Sequence, residues 1–244
     1  MSAAEEAAAD LELHPWLMAC AEMVELETQP TRLSYVPEIT LRLAVEVSPL
    51  WQKVERDLKL KLGPPYWAVA WAGGLALARH VLDHPDLVKG RRVLDFAAGS
   101  ALAGIAAAKA GAAHVVANDI DPMAAVATSF NADLNAVAIE TNVANLMAAD
   151  SGFDPADYDA VLVGDIFYAP ELAAHALAFL DGCRAGGCEV LIGDPGRIDL
   201  PLDHLVKVSS HIVPVTRDAQ FAGASSTDPA EQDLRAASVW RLVG

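Results

Sequence analysis

The segment Arg91–Pro122 constrains the fold of this chain more than any other part of the sequence. In it, an apolar run ends in Asp95, a short turn around Gly99 and a row of small residues follow, and a second apolar run ends in Asp119. This order predicts strand, tight turn, helix and strand, which is the repeating unit of a parallel sheet covered by helices. The glycine lets a ligand approach the backbone, and the start of the helix offers free N–H groups.

Asp119 indicates the kind of ligand. An acidic residue at the end of the second strand accepts hydrogen bonds from a ribose in doubly wound nucleotide-binding folds. A carboxylate has enough lone pairs to accept from both hydroxyls of a diol. The alternative role, capping the helix that begins at Pro122, suits Asp121 better. We therefore expect Asp119 to bind the ribose of an adenosine-containing cofactor, and Ile120 beside it to contact the same cofactor.

The turn itself argues against a phosphate-bearing cofactor. A dinucleotide site has three glycines beneath a pyrophosphate, whereas this turn has Ala97, Gly99 and Leu102 at those positions. The sequence contains no G-x-x-x-x-G-K-[ST] motif, which excludes a P-loop. Asp95 would repel a pyrophosphate and suits a cationic group. S-adenosylmethionine has an ammonium, a sulfonium and a ribose but no phosphate, so the sequence favours this methyl donor, with S-adenosylhomocysteine as the product.

From Arg91 onward, the predicted strands and helices alternate. The 244 residues are 53% hydrophobic and suffice for one α/β domain with a small extension. We predict a helical and strand extension over residues 1–62 and a cofactor-binding domain over residues 63–244. The domain is expected to contain a doubly wound, mostly parallel seven-stranded sheet with an antiparallel pair at its end. Its strands are predicted at Arg92–Phe96, His114–Asn118, Ala138–Val143, Ala160–Gly164, Cys188–Gly193, Val206–Val215 and Ala236–Leu242.

Other segments give weaker signals. Helices are predicted at Leu11–Glu27, Leu50–Leu62 and Leu75–Asp83, and period-two alternation predicts a strand at Glu38–Val47. The polar segment Asp218–Asp233 is predicted to be a mobile loop.

The acidic composition limits the partners. The formal net charge is −16 and the isoelectric point is about 4.6. Because nucleic-acid affinity comes largely from Lys and Arg on phosphates, no nucleic acid is expected, and a lysine-bearing protein surface fits better. No apolar run approaches the ~20 residues that span a bilayer, so no membrane partner is expected. We expect a monomer.

The cysteines and histidines indicate the compartment and the metal content. Cys20, Cys183 and Cys188 are odd in number and form no C-x-x-C pair, so we predict reduced thiols in the cytoplasm. Residues Met1–Asp10 contain no basic residue, unlike a secretory or transit peptide. The histidines show no metal-binding spacing, and we expect no metal.

Several blocks of sequence together resemble a known family. In chain order they are Pro37–Leu43, Pro65–Gly74, Val93–Asp95, Ala117–Pro122, Gly164–Tyr168, Leu191–Arg197 and Ser238–Trp240. They resemble the class I, seven-β-strand, S-adenosylmethionine-dependent methyltransferases and, more narrowly, the lysine methyltransferases of the electron transfer flavoprotein β-subunit. The resemblance implies a Rossmann-like fold and methylation of exposed lysines on that β-subunit.

Asp165 is the candidate for the chemistry. The segment Asp165–Tyr168 follows a predicted strand and so lies at the edge of the sheet where doubly wound folds bind ligands. A lysine ammonium has a pKa near ~10.4 and must lose a proton before its nitrogen can be methylated. Asp165 can orient the amine and accept the proton, while Phe167 and Tyr168 wall the channel. We expect Tyr168 to be catalytic together with Asp165, and Asp165 to contact the cofactor as well. The alternative is that Asp165 caps the helix at Pro170.

The remaining candidates have equally plain alternatives. Asp95 is predicted to bind the amino group of the donor, or else to cap the next helix. Trp71 and Gly73 would form a lid over the donor, where indole faces attract cations, or else pack in the core. Trp67 is predicted to contact the substrate, with the same alternative. Asn142 would reach the adenine or cap a loop.

A turn near the end of the chain gives two further candidates. We predict that Asp194 meets the incoming lysine and that Arg197 meets a carboxylate of the partner or of the enzyme itself. The alternative is an ordinary Asp-Pro-Gly turn.

Two alanines depart from the glycine-rich turn of the family. Because alanine tolerates positive φ poorly, we expect negative φ at Ala97 and Ala101, with weakened donor binding or lost activity as alternatives. Lost activity would leave a non-catalytic module that binds the donor, although the intact segment Asp165–Tyr168 argues against it. Methylation of a ribosomal protein and N-methylation of a small molecule such as nicotinamide are the alternatives within enzymes.

Overall fold

The computed structural model describes residues 3–44, 47–58, 63–215 and 233–244. Its α-helices are α1 (Ala3–Glu27), α2 (Val47–Leu58), α3 (Ala72–Asp83), α4 (Leu102–Lys109), α5 (Pro122–Leu134) and α6 (Pro170–Ala185). Its strands are β1 (Thr28–Arg32), β2 (Thr40–Ala44), β3 (Arg92–Phe96), β4 (His114–Asn118), β5 (Glu140–Asn142), β6 (Ala160–Gly164), β7 (Glu189–Asp194), β8 (Leu205–Val215) and β9 (Asp233–Leu242).

Seven strands form one sheet in the order β5-β4-β3-β6-β7-β9-β8. The neighbours from β5 to β7 are parallel, and β9 pairs antiparallel with both β7 and β8. The predicted α/β class, the mostly parallel sheet and its antiparallel end are confirmed. The direction of chain order reverses between β3 and β6, and ligands of open α/β sheets bind outside the carboxyl ends of the strands at such a point.

The central strands are buried on both faces, as parallel strands covered by helices must be. Successive residues alternate between two hydrophobic clusters. Val93 of β3 and Leu162 of β6 pack in the cluster that contains α3 and α4. Leu94 and Val163, their neighbours in sequence, pack in the cluster that contains α6. The core therefore lies on both sides of the sheet and holds the carboxyl ends of its strands in place.

The N-terminal elements cover α5 and the segment before α3. Strands β1 and β2 form an antiparallel sheet of their own. Cys20 and Val24 of α1, Leu50 of α2, Trp67 and Met123 of α5 form a third hydrophobic cluster. The division of the chain into residues 1–62 and 63–244 stays a prediction.

The structure differs from the predictions in a few segments. Strand β1 was not predicted, because Thr-Gln-Pro-Thr-Arg has no apolar alternation and becomes a strand only by pairing with β2. Helix α3 begins at Ala72 rather than Leu75, so the glycine pair is helical. The predicted loop lies outside the described residues except for Asp233, which begins β9. Among the described residues, no helix has both the length and the apolar character needed to cross a bilayer.

Candidate active site

A cavity of about 600 Å³ lies at the carboxyl ends of β3, β4 and β6. Its volume is in the range of small-molecule and cofactor sites. The turn after β3, the acidic segment after β4, the end of β6 and the segment before α3 all line it. It brings together the predicted site residues Trp67, Trp71, Asp95, Ala97, Gly99, Asp119, Ile120, Asp165, Tyr168 and Arg197.

The turn between β3 and α4 is left-handed at three positions. Ala97, Gly99 and Ala101 have φ of 53°, 52° and 59°, so the expectation of negative φ at both alanines is wrong. The backbone of the turn closes tightly, with the N–H of Ala101 donating to the carbonyl of Ala98 at 2.8 Å. The N–H of Ala98 also donates to the carbonyl of Asn118 at 2.9 Å, which anchors the turn to β4, although a side chain at such a φ costs roughly 1–2 kcal/mol.

Asp119 closes β4 and holds the turn. One carboxylate oxygen, Oδ2, accepts from the backbone N–H of Gly99 at 2.9 Å, and Oδ1 accepts from the N–H of Asp121 at 3.0 Å. Each oxygen keeps one lone pair for a further donor. Burial raises the pKa of Asp119 above its usual value. The geometry therefore suits the predicted diol, and the exposed Ile120 lies beside it.

Asp95 is 2% exposed and caps α4, which was the alternative to binding the amino group of the donor. Its Oδ2 accepts from the backbone N–H of Gly104 at 2.7 Å, while the residue also lines the cavity. Burial raises the pKa of Asp95 to about 8. Asp121 is confirmed as the cap of α5, because its Oδ1 accepts from the N–H of Met123 at 2.9 Å.

Aromatic side chains form the wall on the side of α3. The ring of Tyr66 lies 5.7 Å from that of Trp71 and 5.5 Å from that of Tyr168, between ring centroids. The indole N–H of Trp71 donates to the carbonyl of Tyr66 at 2.9 Å. Trp67 is 2% exposed and packs in the N-terminal cluster, so its core alternative describes most of its contacts.

Asp165 follows β6 with a φ of 57°, a conformation that aspartate adopts more readily than most residues. Its Oδ2 accepts from the backbone N–H of Gly74 at 2.8 Å, and its Oδ1 accepts from Nη2 of Arg197 at 3.0 Å. It therefore caps α3, not the helix at Pro170. Burial raises the pKa of Asp165 to about 6, and Arg197 and the Gly74 N–H act in the opposite direction.

Gly73 does not line the cavity, and its role is one of close approach. A Cβ at this position would lie 2.2 Å from the carbonyl oxygen of Gly193 and 2.6 Å from Oδ2 of Asp165. The absence of a side chain thus lets α3 touch β7 and reach the Asp165 carboxylate. The structure supports this role instead of the predicted lid.

Asp194 also lies outside the cavity, at the end of β7, and is 0% exposed. Its Oδ1 accepts from the backbone N–H groups of Gly196 and Arg197 at 2.7 and 2.8 Å. This is the turn alternative, so Asp194 does not meet an incoming lysine directly. Burial raises the pKa of Asp194.

Phe167 and Asn142 are the other two predicted residues that the cavity does not include. Phe167 is 0% exposed and packs in the cluster under α6, so it does not wall a channel. Asn142 caps a loop, because its Oδ1 accepts from the N–H of Ala144 at 2.8 Å. The sequence gives the order of residues at a strand end but not the side to which each is turned, so it could not place these two side chains.

The sequence reasoning missed a group of cavity residues. They are Tyr66 and the segment Asn145–Met147 after β5. Tyr66 lies in a block that was noted for the resemblance but was given no role. The signal for Asn145–Met147 was its position just beyond the carboxyl end of a parallel strand, the rule that found Asp165.

The charges around the cavity suit a cationic cofactor. Of the described residues that line it, the acidic ones are Asp119, Asp121, Asp165 and Asp95, the last of which is mostly neutral at pH 7 because its pKa is about 8, and Arg197 is the one basic residue. A pyrophosphate would meet repulsion here, whereas an ammonium or a sulfonium would be attracted. These residues therefore fit S-adenosylmethionine. In the described part of the chain no group of ligating side chains could hold a metal ion.

Comparison with known proteins gives matches to methyltransferases. The ribosomal protein L11 methyltransferase (PrmA) family model matches residues 76–176. The electron transfer flavoprotein beta subunit lysine methyltransferase of Danio rerio is 40% identical over 209 residues, which cover 85% of this chain and 77% of that protein. The protein of the same name from Homo sapiens is 35% identical over 212 residues, with 85% and 75% covered.

Among solved structures, precorrin 8W decarboxylase from Methanobacterium thermoautotrophicum is 12% identical with a TM-score of 0.50. The match covers 72% of this chain and 94% of that one. At this identity it supports the fold alone.

Proposed function

Because this chain belongs to the family of the electron transfer flavoprotein β-subunit lysine methyltransferases, we propose that it methylates lysine ε-amino groups of that β-subunit. The methyl donor is S-adenosylmethionine, and the product of the donor is S-adenosylhomocysteine. The name of the family supplies the protein substrate, and the chemistry of the cavity supports the donor.

One observation carries the proposal: Asp119 and Asp165 line the same cavity, and each has carboxylate oxygens that can accept a further hydrogen bond from a different kind of ligand. Asp119 keeps a lone pair on each oxygen and can bind a ribose diol. Asp165 is held by Gly74 on one oxygen and faces a cation with the other. A site for an adenosine and a site for an ammonium therefore adjoin.

The donor, when bound, supplies an electrophilic methyl group on a positively charged sulfur. Asp165 orients the acceptor ammonium through Oδ1 and accepts its proton there. With a pKa of about 6, Asp165 is ionised at neutral pH. Burial of the acceptor beside a second positive charge lowers the pKa of the amine and favours loss of the proton.

The aromatic wall contributes position rather than proton transfer. Tyr66, Trp71 and Tyr168 line the cavity with their rings in contact and can offer ring faces to cations. Holding the nitrogen in line with the methyl group converts an encounter between two molecules into a reaction within one complex. We expect this positioning to supply much of the rate.

The test is a methylation assay with labelled S-adenosylmethionine, the purified β-subunit and, separately, a lysate of the source cells. Methylated lysines are identified by mass spectrometry. Asp165→Asn runs beside the wild type, and Asp159→Asn is the matched control because Asp159 precedes β6 whereas Asp165 follows it. We expect methyl-lysine on the β-subunit with the wild type and with Asp159→Asn, and loss of it with Asp165→Asn.

Ribosomal proteins are a second candidate substrate, favoured by the match of residues 76–176 to the L11 methyltransferase family. The matched segment holds Asp95, Asp119 and Asp165 but ends before Arg197. If only a ribosomal protein is labelled, lysine methylation stands and the proposed substrate is wrong. If only nicotinamide is labelled, the chain is a small-molecule methyltransferase. Donor binding by calorimetry without any label would indicate a binding module.

Localisation and oligomeric state are further proposals. The described cysteines are buried and form no disulfide, which supports a reducing compartment such as the cytoplasm. Cell fractionation tests this. Sedimentation of the purified protein tests the proposed monomer.

A further inference from the structure

The guanidinium of Arg197 faces two carboxylates but donates a hydrogen bond to only one of them, while the backbone N–H of Arg197 donates to Asp194. Its Nη2 donates to Oδ1 of Asp165 at 3.0 Å. Its Nε lies 3.7 Å from Oδ2 of Asp194, which is an ion-pair distance but too long for a hydrogen bond. Both Arg197 Nε and Asp194 Oδ2 are buried, and neither has a hydrogen-bond partner among the described residues. A buried donor and a buried acceptor thus lie close to each other, and neither makes a hydrogen bond.

The backbone fixes the two carboxylates side by side. Residues Gly164 and Gly193 are paired in the parallel ladder of β6 and β7, and the N–H of Asp165 donates to the carbonyl of Gly193 at 2.9 Å. Asp165, just after β6, and Asp194, the last residue of β7, therefore lie at the same edge of adjacent strands. The guanidinium of Arg197 can be shared between them by a small rotation of its side chain.

The charges do not balance in this arrangement. Two carboxylates face one guanidinium, so the group carries one negative charge in excess when both acids are ionised. A lysine ammonium at Asp165 would neutralise that excess. Nη2 of Arg197, however, already donates to the oxygen of Asp165 that the ammonium would use, and its positive charge repels a second cation there.

We infer that Arg197 is a displaceable placeholder for the substrate cation. In the free protein it occupies Oδ1 of Asp165. When the lysine ammonium enters, Arg197 moves onto Asp194, where its Nε satisfies the unpaired Oδ2, and Asp165 is released to the substrate. Arg197 is thus a positioning residue, and Asp194 is the acceptor that makes its displacement favourable. This inference rests on the proposed lysine methylation and identifies what selects a cationic acceptor.

The test is a double-mutant comparison of kcat and KM for the β-subunit. Asp194→Asn keeps an oxygen for the Gly196 and Arg197 N–H groups but removes the charge onto which Arg197 moves. We expect KM to rise and kcat/KM to fall about tenfold, because Arg197 then stays on Asp165. Adding Arg197→Gln should restore most of the lost activity, since the competitor is gone.

Asp159→Asn with Arg92→Gln is the matched control, an aspartate–arginine pair with Arg92 Nη2 3.1 Å from Asp159 Oδ1 at the other end of β6. Neither Asp159→Asn alone nor the double variant with Arg92→Gln should change kcat/KM. A double variant of Asp194 and Arg197 that is no more active than Asp194→Asn would overturn the inference. Melting temperatures confirm that each variant is folded.

A second measurement separates this inference from the proposed function. The Nε–H resonance of Arg197 is followed by NMR while butylammonium chloride, a mimic of the lysine side chain, is added to the full chain with S-adenosylhomocysteine. A shift in the wild type that is absent in Asp194→Asn supports the placeholder even if no protein is methylated. An unchanged resonance in the wild type refutes it even if the enzyme is active.

Discussion

The aspartates at the two ends of β6 have opposite surroundings. Asp159, just before the strand, has a side chain that is 42% exposed and pairs with Arg92, whose guanidinium and backbone N–H lower its pKa. Asp165, just after the strand, is 8% exposed, and burial raises its pKa to about 6 even though Arg197 donates to it. The ionised form of aspartate is therefore stabilised at one end of β6 and destabilised by burial at the other.

The neighbouring strand repeats the contrast. Glu189 begins β7 and pairs with Arg91 at 2.8 Å and Arg241 at 2.9 Å. Asp194 ends β7, is fully buried and keeps one oxygen without a hydrogen bond. At the amino edge of the sheet each of these acids has its own arginine partner, whereas at the carboxyl edge the buried Asp165 and Asp194 share a single arginine, Arg197, besides their backbone N–H donors. Excess negative charge is therefore concentrated where cationic ligands are proposed to bind.

The largest expected effect is the loss of activity on changing the aspartate after β6, compared with changing the aspartate before it. Asp165→Asn should lower kcat/KM for the protein substrate by about a thousandfold, the middle of the range for a general acid–base group. Asp159→Asn should leave it almost unchanged. Steady-state kinetics with the β-subunit measure both. Equal losses in the two variants would mean that the aspartates matter only for folding.

The second prediction concerns the donor. Asp119→Asn should weaken binding of S-adenosylmethionine about 10- to 100-fold, because the amide cannot accept from two backbone N–H groups and a diol at once. Asp121→Asn also removes a charge from the cavity lining but keeps the cap of α5, so it is the control and should weaken binding much less. Isothermal titration calorimetry gives both affinities. Weakening in Asp121→Asn that equals that in Asp119→Asn would remove the case for ribose binding.

The third prediction is the pH dependence of stability. The pKa of Asp95 is about 8 when folded and about 3.9 when unfolded. Its contribution to the free energy of unfolding is therefore fully present below pH ~4 and is lost as the pH rises through about 8. We expect the wild type to lose stability between pH 6 and pH 9.

Asp95→Asn should lose less stability over the same interval, because the amide has no charge to bury and still accepts from the Gly104 N–H. Urea unfolding at the two pH values measures this. Asp159→Asn should behave like the wild type, since the lowered pKa of Asp159 keeps it ionised throughout. Parallel curves for Asp95→Asn and the wild type would count against a neutral Asp95 in the folded state.

The smallest expected effect is at the turn. Ala97→Gly removes a Cβ from a residue with φ of 53° and should stabilise the protein by up to about 1 kcal/mol, after the greater freedom of glycine in the unfolded chain is subtracted. Ala98→Gly, at the next position in the turn, lacks a positive φ and should destabilise it by a similar amount. Thermal unfolding of the wild type and the two variants measures these changes in stability. Destabilisation by Ala97→Gly would show that its methyl group packs usefully.

The sequence predicted the features that are local. Strands β3, β4 and β6 were placed with their observed bounds, because a short apolar run ended by an acid or a glycine is a signal within the run itself. The same logic found Asp119 and Asp165 in one cavity. Strand β1 was missed because its pairing with β2, not its own residues, makes it a strand.

The features that depend on distant backbone could not be predicted. Whether Gly73 forms a lid or a contact depends on Gly193, more than a hundred residues later in the chain. The burial of Asp194 and Phe167 depends on which side of a strand end faces the core. The positive φ of Ala97 occurs where the turn is anchored to Asn118, a residue of another strand, and this contact overrides the preference of alanine.

The position of β9 has a consequence for synthesis of the protein. This strand follows β8 in the chain but lies between β7 and β8 in the sheet. While the chain is being made, the edge of β7 stays unpaired until residues 233–242 have left the ribosome, and β8 has no place in the sheet before then. A nascent chain halted short of residue 233 would present an apolar strand edge to other chains. Newly made protein would thus depend on rapid completion, or on chaperones, to avoid aggregation.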